Sequence, residues 1–308
     1  MEKNYDVSAL GEGMLEFNQT VAGEPNYLQG FGGDTSNAVI AAARAGARTA
    51  YLSRIGDDSF GRALLQLWRH EGVNTRAIET DPDAPTGIYF VTHGAQGHEF
   101  SYRRAGSAAS RMSPQWLQGA PADAIRASRI LHVSGISLAI SPQACETALA
   151  AMQLARSQGT LVAFDSNLRL KLWSLQAARA SIARAMALCD IFLPSLDDIT
   201  ALNGMEDPAA ILAWGHAAGA ATVVLKQGHG GTLVSDGGRR ESIAAHRVAL
   251  ADATGAGDCF AGNLLARLAA GDSVFDAARY ANAAAALAVQ GFGAVGPLPR
   301  PEAVRALL

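Results

Sequence analysis

Short apolar runs rich in β-branched residues alternate along this chain with helix-length stretches, and few architectures accommodate that rhythm. Tyr5–Leu10, Thr49–Ser53, Ile130–Ser134, Leu161–Phe164, Ile191–Pro194, Thr222–Leu225 and Thr232–Ser235 read as strands. Helices are expected near 36–45, 59–71, 142–158, 174–188 and 208–219, and two more, rich in Ala and Leu, near 256–270 and 274–290. Alternation of this kind predicts an α/β fold with a mostly parallel sheet covered by helices on both faces. The chain has 308 residues, 49% of them hydrophobic, with no internal repeat or low-complexity linker. A single domain spanning 1–308 is expected.

Two regions break the rhythm. Residues 11–31 and 86–103 read as short strands joined by Gly-containing turns. The second is expected to be a hairpin, with apolar Ile88–Val91, a turn around Gly94–Gly97, and alternating Glu99–Phe100–Ser101–Tyr102. The two pieces could form a small sheet beside the main body, either as an ordinary edge or as a lid over a cleft.

Charge and cysteine usage exclude several function classes. Lys and Arg number 25 against 28 Asp and Glu, a net charge of −3, which lacks the basic footprint of a nucleic-acid binder. Cys145, Cys189 and Cys259 are scattered without CxxC spacing, so neither a disulfide framework nor a zinc site is expected. The start MEKNYDVSALGEG has no basic region followed by an apolar stretch, and polar residues interrupt every apolar run before 18 residues. A soluble, cytoplasmic protein without a membrane partner is expected.

Glycine, 32 residues of 308, exceeds the usual roughly 7%, and several of its clusters sit where chemistry is done. In Asp252–Ala253–Thr254–Gly255–Ala256–Gly257–Asp258 a Gly-rich turn runs straight into a helix. Such a turn leaves backbone N–H groups aimed at one point, and the helix dipole adds positive potential, so phosphate is the natural ligand. Asp258 beside it either takes a proton from an attacking hydroxyl or only stabilises the helix N-terminus. No Lys-Ser/Thr follows, so this is not the Walker sequence. Lys226–Gln227–Gly228–His229–Gly230–Gly231 follows one strand and precedes another, as a nucleotide loop or a plain hairpin turn. Asp165–Ser166–Asn167–Leu168–Arg169 offers a carboxylate, an amide and a guanidinium at a strand exit, where ligands collect in open α/β sheets. Gly32–Gly33–Asp34–Thr35–Ser36–Asn37 enters a helix and supplies either caps or contacts for a hydroxyl-rich ligand. Tyr102–Arg103–Arg104 ends the hairpin, and Arg is the best fork for a carboxylate.

In order along residues 5–300, these segments resemble the ribokinase-like, PfkB-type sugar kinases: GGDTSNAVIAAARAGARTAYLSRIGDDSFG the first signature, DATGAGDCFAGNLLARLAAG the second. KQGHGG and PSLDD stand where that family places its nucleotide and metal elements. GGDTSN, Tyr89, YRRAGSAAS and DSNLR are most similar to the 2-keto-3-deoxygluconate kinases. The resemblance implies a three-layer α/β/α sandwich with a small β-sheet lid formed by about 11–31 and 86–104. It implies ATP-dependent phosphorylation of the sugar acid's 6-hydroxyl, or of a ketose such as fructose, with Mg²⁺. Asp258 would be the base, and Gly255, Ala256 and Gly257 would brace charge on the transferring phosphoryl group. Gly33, Asp34, Asn37, Tyr89, Tyr102, Arg104 and Arg169 would hold the sugar acid. Lys226, Gly228, Gly231, Gly255 and Gly257 would hold the nucleotide, with Asn167 and Ser195 nearby and Asn282 at the adenine. Asp198 would reach Mg²⁺ through water, although Ser195–Leu196–Asp197–Asp198 departs from the usual Asn-x-x-Glu. Asp252 and Thr254 resemble positions that bind a monovalent cation such as K⁺ in some relatives. Exposed lid edges would let subunits pair as a homo-oligomer.

Overall fold

The computed structural model describes residues 3–94 and 97–308. Its strands are β1 (Tyr5–Leu10), β2 (Met14–Gln19), β3 (Tyr27–Gly32), β4 (Thr49–Gly56), β5 (Ile78–Asp81), β6 (Ile88–Gly94), β7 (Gly97–Arg103), β8 (Ser128–Ser134), β9 (Leu161–Asp165), β10 (Ile191–Leu193), β11 (Thr222–Lys226), β12 (Thr232–Ser235) and β13 (Arg240–Ile243). Its helices are α1 (Asp34–Arg44), α2 (Ser59–His70), α3 (Ala120–Arg126), α4 (Gly135–Ala139), α5 (Pro142–Ser157), α6 (Leu175–Met186), α7 (Leu196–Asn203), α8 (Pro208–Ala217), α9 (Ala256–Ala269), α10 (Val274–Ala288) and α11 (Pro301–Leu307).

Among the described residues, nine strands make one sheet in the order β13-β12-β11-β10-β9-β8-β1-β4-β5. From β11 to β5 neighbours run parallel, and β12 and β13 are added antiparallel. Side chains alternate between the two faces as the pleat demands. Leu131, Val133, Val162, Phe164, Phe192, Val223 and Leu225 pack with α5, α6 and α8 on one face. Ile130, Ala163, Ile191, Leu193 and Val224 pack with α1, α9 and α10 on the other. The three-layer α/β/α arrangement expected from the sequence is thus present. Burying each Leu, Val or Phe stabilises it by about 1.5–3 kcal/mol.

The two arrhythmic regions form a second sheet, β3-β2-β6-β7. It joins two antiparallel hairpins through a parallel β2–β6 pairing. β6 and β7 pair antiparallel as far as Gly94 and Gly97, and residues 95 and 96 of the expected turn lie outside the described residues. One face, with Met14, Tyr89, Val91, Phe100 and Tyr102, turns toward a cavity, and Phe17, Phe31 and Ile88 pack on the body.

Candidate active site

The carboxyl ends of β9, β10 and β11 open into a cavity of about 850 Å³, large enough for a nucleotide and a sugar. Asp165 ends β9, Ser195 follows β10 and Lys226 ends β11. Facing them are the N-termini of α1 and α9, which bring Gly33, Asp34 and Asn37 together with Gly255, Ala256, Gly257 and Asp258. Tyr89, Tyr102 and Arg104 close the lid side, and Arg169 stands at the rim with its side chain 51% exposed.

Gly255 makes this geometry possible. It caps α9 at φ 75°, in the left-handed region that favours glycine. A β-carbon there would come within 3.0 Å of Ala294. The first intrahelical bond runs from Cys259 N to Gly255 O, so the N–H groups of Gly257 and Asp258, two residues of the cavity wall, precede the helical ladder. The Ala256 N–H turns back to Ala253 O at 3.2 Å. Lys226 adds a cation to the same spot: a β-carbon on Gly257 would lie 3.7 Å from its Nζ.

Asp258 accepts a hydrogen bond from Asn37 Nδ2 at 2.9 Å. Burial is the main force on its carboxyl, the charges of Asp34 and Asp165 add to it, and Asn37 and Arg169 oppose it; the pKa is pushed up to about 7. A carboxyl so tuned can take up or release a proton near neutral pH. The surrounding acids are tied into a chain across the sheet. Asn167 Nδ2 donates to Asp34 at 2.9 Å, Asn167 N donates to Asp165 Oδ1 at 3.1 Å, and Lys226 Nζ meets Asp165 Oδ2 at 2.5 Å. Asn167 holds φ 26°, a backbone strain of the kind found at functional sites.

Asp198, Ser166, Ser195 and Arg169 form a second cluster. Asp198 accepts from Ser166 Oγ at 2.7 Å and lies 3.9 Å from Arg169 Nη1. Ser195 caps α7 by accepting from Asp198 N at 3.2 Å. No group of three metal-ligating side chains occurs among the described residues. Asp198 on the cavity wall suits a metal that arrives already coordinated by phosphates.

Three sequence candidates are not on the cavity wall. Asn282 is tied to Thr232 at 2.7 Å and toward Ile243 O, joining α10 to β12 and β13. Gly231 serves close packing: φ is 87° and a β-carbon would meet Ile243 O at 2.1 Å. Asp252 braces its loop, accepting from Thr254 N at 2.9 Å, Thr254 Oγ1 at 2.7 Å and Gly293 N at 2.9 Å. Thr254 and Gly228 do line the cavity. Sequence reading passed over Glu12, which ion-pairs with Arg104, Glu16, which accepts from Tyr89 Oη at 2.5 Å, and buried His132. His132 lies within the electrostatic reach of Asp165, Asp34 and Lys226, and burial holds its pKa down. Only an acidic residue after Gly11 signalled Glu12, and nothing in the sequence pairs it with Arg104.

The family model for pfkB family carbohydrate kinases matches residues 2–301. The chain belongs to this family. A pfkB carbohydrate kinase is a phosphotransferase, and a helix N-terminus with a buried carboxyl beside it is compatible with that chemistry. Among curated relatives, the 2-dehydro-3-deoxygluconokinase of Thermoproteus tenax is 35% identical over 320 aligned residues, covering 100% of this chain and 95% of the relative. Probable fructokinase-4 of Arabidopsis thaliana is 32% identical, covering 100% and 97%. A solved fructokinase of Vibrio cholerae O395, bound to fructose, ADP and a calcium ion, superposes with a TM-score of 0.86 at 29% identity, covering 98% of each chain. A putative ribokinase II from E. coli in complex with ATP and Mg²⁺ gives 0.90 at 25% identity, covering 100% of this chain and 99% of that one. The fold is therefore ribokinase-like, with a small sheet as its lid.

Proposed function

We propose that this pfkB kinase, as one catalytic domain, transfers the γ-phosphoryl group of ATP to the 6-hydroxyl of 2-keto-3-deoxygluconate. The observation that carries the choice of a sugar acid is Arg104. Its side chain is only 9% exposed, it lines the lid end of the cavity, and its Nε has no acceptor among the described residues. A guanidinium on that wall is suited to a ligand carboxylate. Arg169 and Lys171 add positive charge at the same rim.

In the reaction, the hydroxyl proton passes to Asp258 as the hydroxyl oxygen bonds to the γ-phosphorus and the bond to the ADP oxygen breaks. The N–H groups of Gly257 and Asp258 and the Lys226 ammonium brace the charge on the transferring group. Gly33, Asp34, Asn37, Tyr89 and Tyr102 position the sugar, while Gly228 and Asn167 stand on the nucleotide side. Mg²⁺ on the triphosphate, held by Asp198 through water, would neutralise phosphate charge. A K⁺ requirement at the Asp252–Thr254 brace is tested by comparing turnover in K⁺ and Na⁺. The enzyme is read as cytoplasmic, where ATP is plentiful, and as a homo-oligomer assembled through the lid edge.

A neutral ketose is the second reading, favoured by the Glu12 carboxylate that already neutralises Arg104 and by the fructokinase relatives. ATP consumption with Mg²⁺ and 2-keto-3-deoxygluconate, fructose, ribose or gluconate separates the two. A clear preference for the keto-deoxy acid is expected. A preference for fructose would overturn the sugar-acid reading and leave the role of Asp258 intact.

A further inference from the structure

The described connections between body and lid meet at Glu12. It lies on the link from β1 to β2, 2% exposed. Where β3 returns to α1, a β-carbon on Gly33 would meet Glu12 O at 2.2 Å. Where the chain enters β6, a β-carbon on Gly87 would meet Glu12 Oε1 at 2.5 Å. Where β7 leaves for the body, Arg104 ion-pairs with Glu12 Oε2 and Ser107 Oγ donates to Oε1 at 2.5 Å. The pair is deeply buried, with side-chain exposures of 9% for Arg104 and 1% for Glu12. The Arg104 Nη2 contact is an ion pair without hydrogen-bond alignment, so the guanidinium is charge-balanced but not saturated with acceptors.

We infer that Glu12 is a positioning residue that sets the charge selectivity of the sugar site through Arg104. A buried guanidinium with a carboxylate behind it acts toward a substrate as an oriented donor more than as a net cation. The same guanidinium without that carboxylate would attract an anionic sugar more strongly and gain little toward a neutral one. The inference rests on the sugar-kinase reading of this cavity, and holds whichever sugar the wild type prefers.

The test is the ratio of kcat/KM for 2-keto-3-deoxygluconate to that for fructose. Glu12→Gln should raise this ratio by about tenfold or more, chiefly through KM, because an unscreened charge acts on binding. Glu12→Asp should return it toward wild type. A ratio that stays constant while both activities fall would overturn the inference, since a purely structural Glu12 lowers both alike. Should Glu12→Gln not fold, Arg104→Gln is compared with the Glu12→Gln/Arg104→Gln double variant, whose buried pair is neutral. With Arg104 replaced, the unpaired Glu12 carboxylate repels an anionic sugar, so removing it should raise the ratio, and an unchanged ratio would overturn the inference. If neither sugar is phosphorylated, the catalytic reading fails, and the same comparison is read from the Tm shifts that the two sugars induce.

Discussion

The role proposed for Asp258 is that of a base, while its neighbours make ionisation costly. With a pKa pushed up to about 7, it is ionised only above neutral pH, so kcat/KM should fall about tenfold per pH unit below that point. A pH–rate profile of the free enzyme reads this directly, and a plateau extending down to pH 5 would assign the base elsewhere. Asp258→Asn should lower turnover by ~10²–10⁴ and leave ATP affinity near wild type, measured by nucleotide titration. The same shift has a stability consequence of definite sign. The native carboxyl binds its proton more tightly than the unfolded chain, whose value is 3.8, so Asp258 withdraws stability as pH rises from about 4 to 7. Asn imitates the protonated acid. Its Tm should match wild type near pH 4 and exceed it at pH 8 by a few degrees, on the order of one or two kcal/mol. Equal Tm values at pH 8 would show that the carboxylate is not strained by its site.

At the scale of elements, Asp258 stands where it does because α9 comes close to α1 at Gly262, where there is no side chain on α9. A β-carbon on Gly262 would meet Ala38 O at 2.1 Å, and that backbone cannot swing aside. Gly262→Ala should cost about 1–3 kcal/mol in a denaturant titration and weaken the Asn37–Asp258 contact, lowering kcat as well. If Tyr89, Tyr102 and Arg104 hold the substrate as proposed, saturating sugar should protect residues 86–104 from limited proteolysis, and unchanged cleavage would count against closure of the lid. Much of this was legible beforehand: each expected strand run became a strand, and both arrhythmic regions became the lid. The elements that were not expected carry weak local signals, and α3, α4 and α11 are helices of seven residues or fewer. β13 (RESI) and β5 (IETD) carry charges in short edge strands with no apolar run. α7 was hidden because Ser195–Asp198 was read as a metal element when it is also a capped helix start.

Across the whole molecule, the sheet order places β1 between β4 and β8, so the chain reverses direction of growth there. The cavity lies along the carboxyl ends of β9, β10 and β11, on the β8 side of that reversal, and residues distant in sequence meet there. Sequence motifs named most of the cavity wall, because Gly-rich turns and strand exits are local signals. They could not pair Lys226 with Asp165 or Arg104 with Glu12, since those contacts depend on strand order and not on spacing. The lid's outer strand leaves Leu28 68% and Tyr27 37% exposed, and a second copy is the expected cover. Sedimentation should show an oligomer that Leu28→Lys dissociates, and a monomer at all concentrations would remove that reading.

The position of the Glu12–Arg104 pair also bears on how this scaffold diversifies. Both residues sit just outside the lid strands: Glu12 before β2, Arg104 after β7. A lid exchanged between relatives as β2–β3 and β6–β7 would therefore bring new walls over the sugar and leave the charge at the joint behind. Shape and charge preference are then separately heritable traits of one active site.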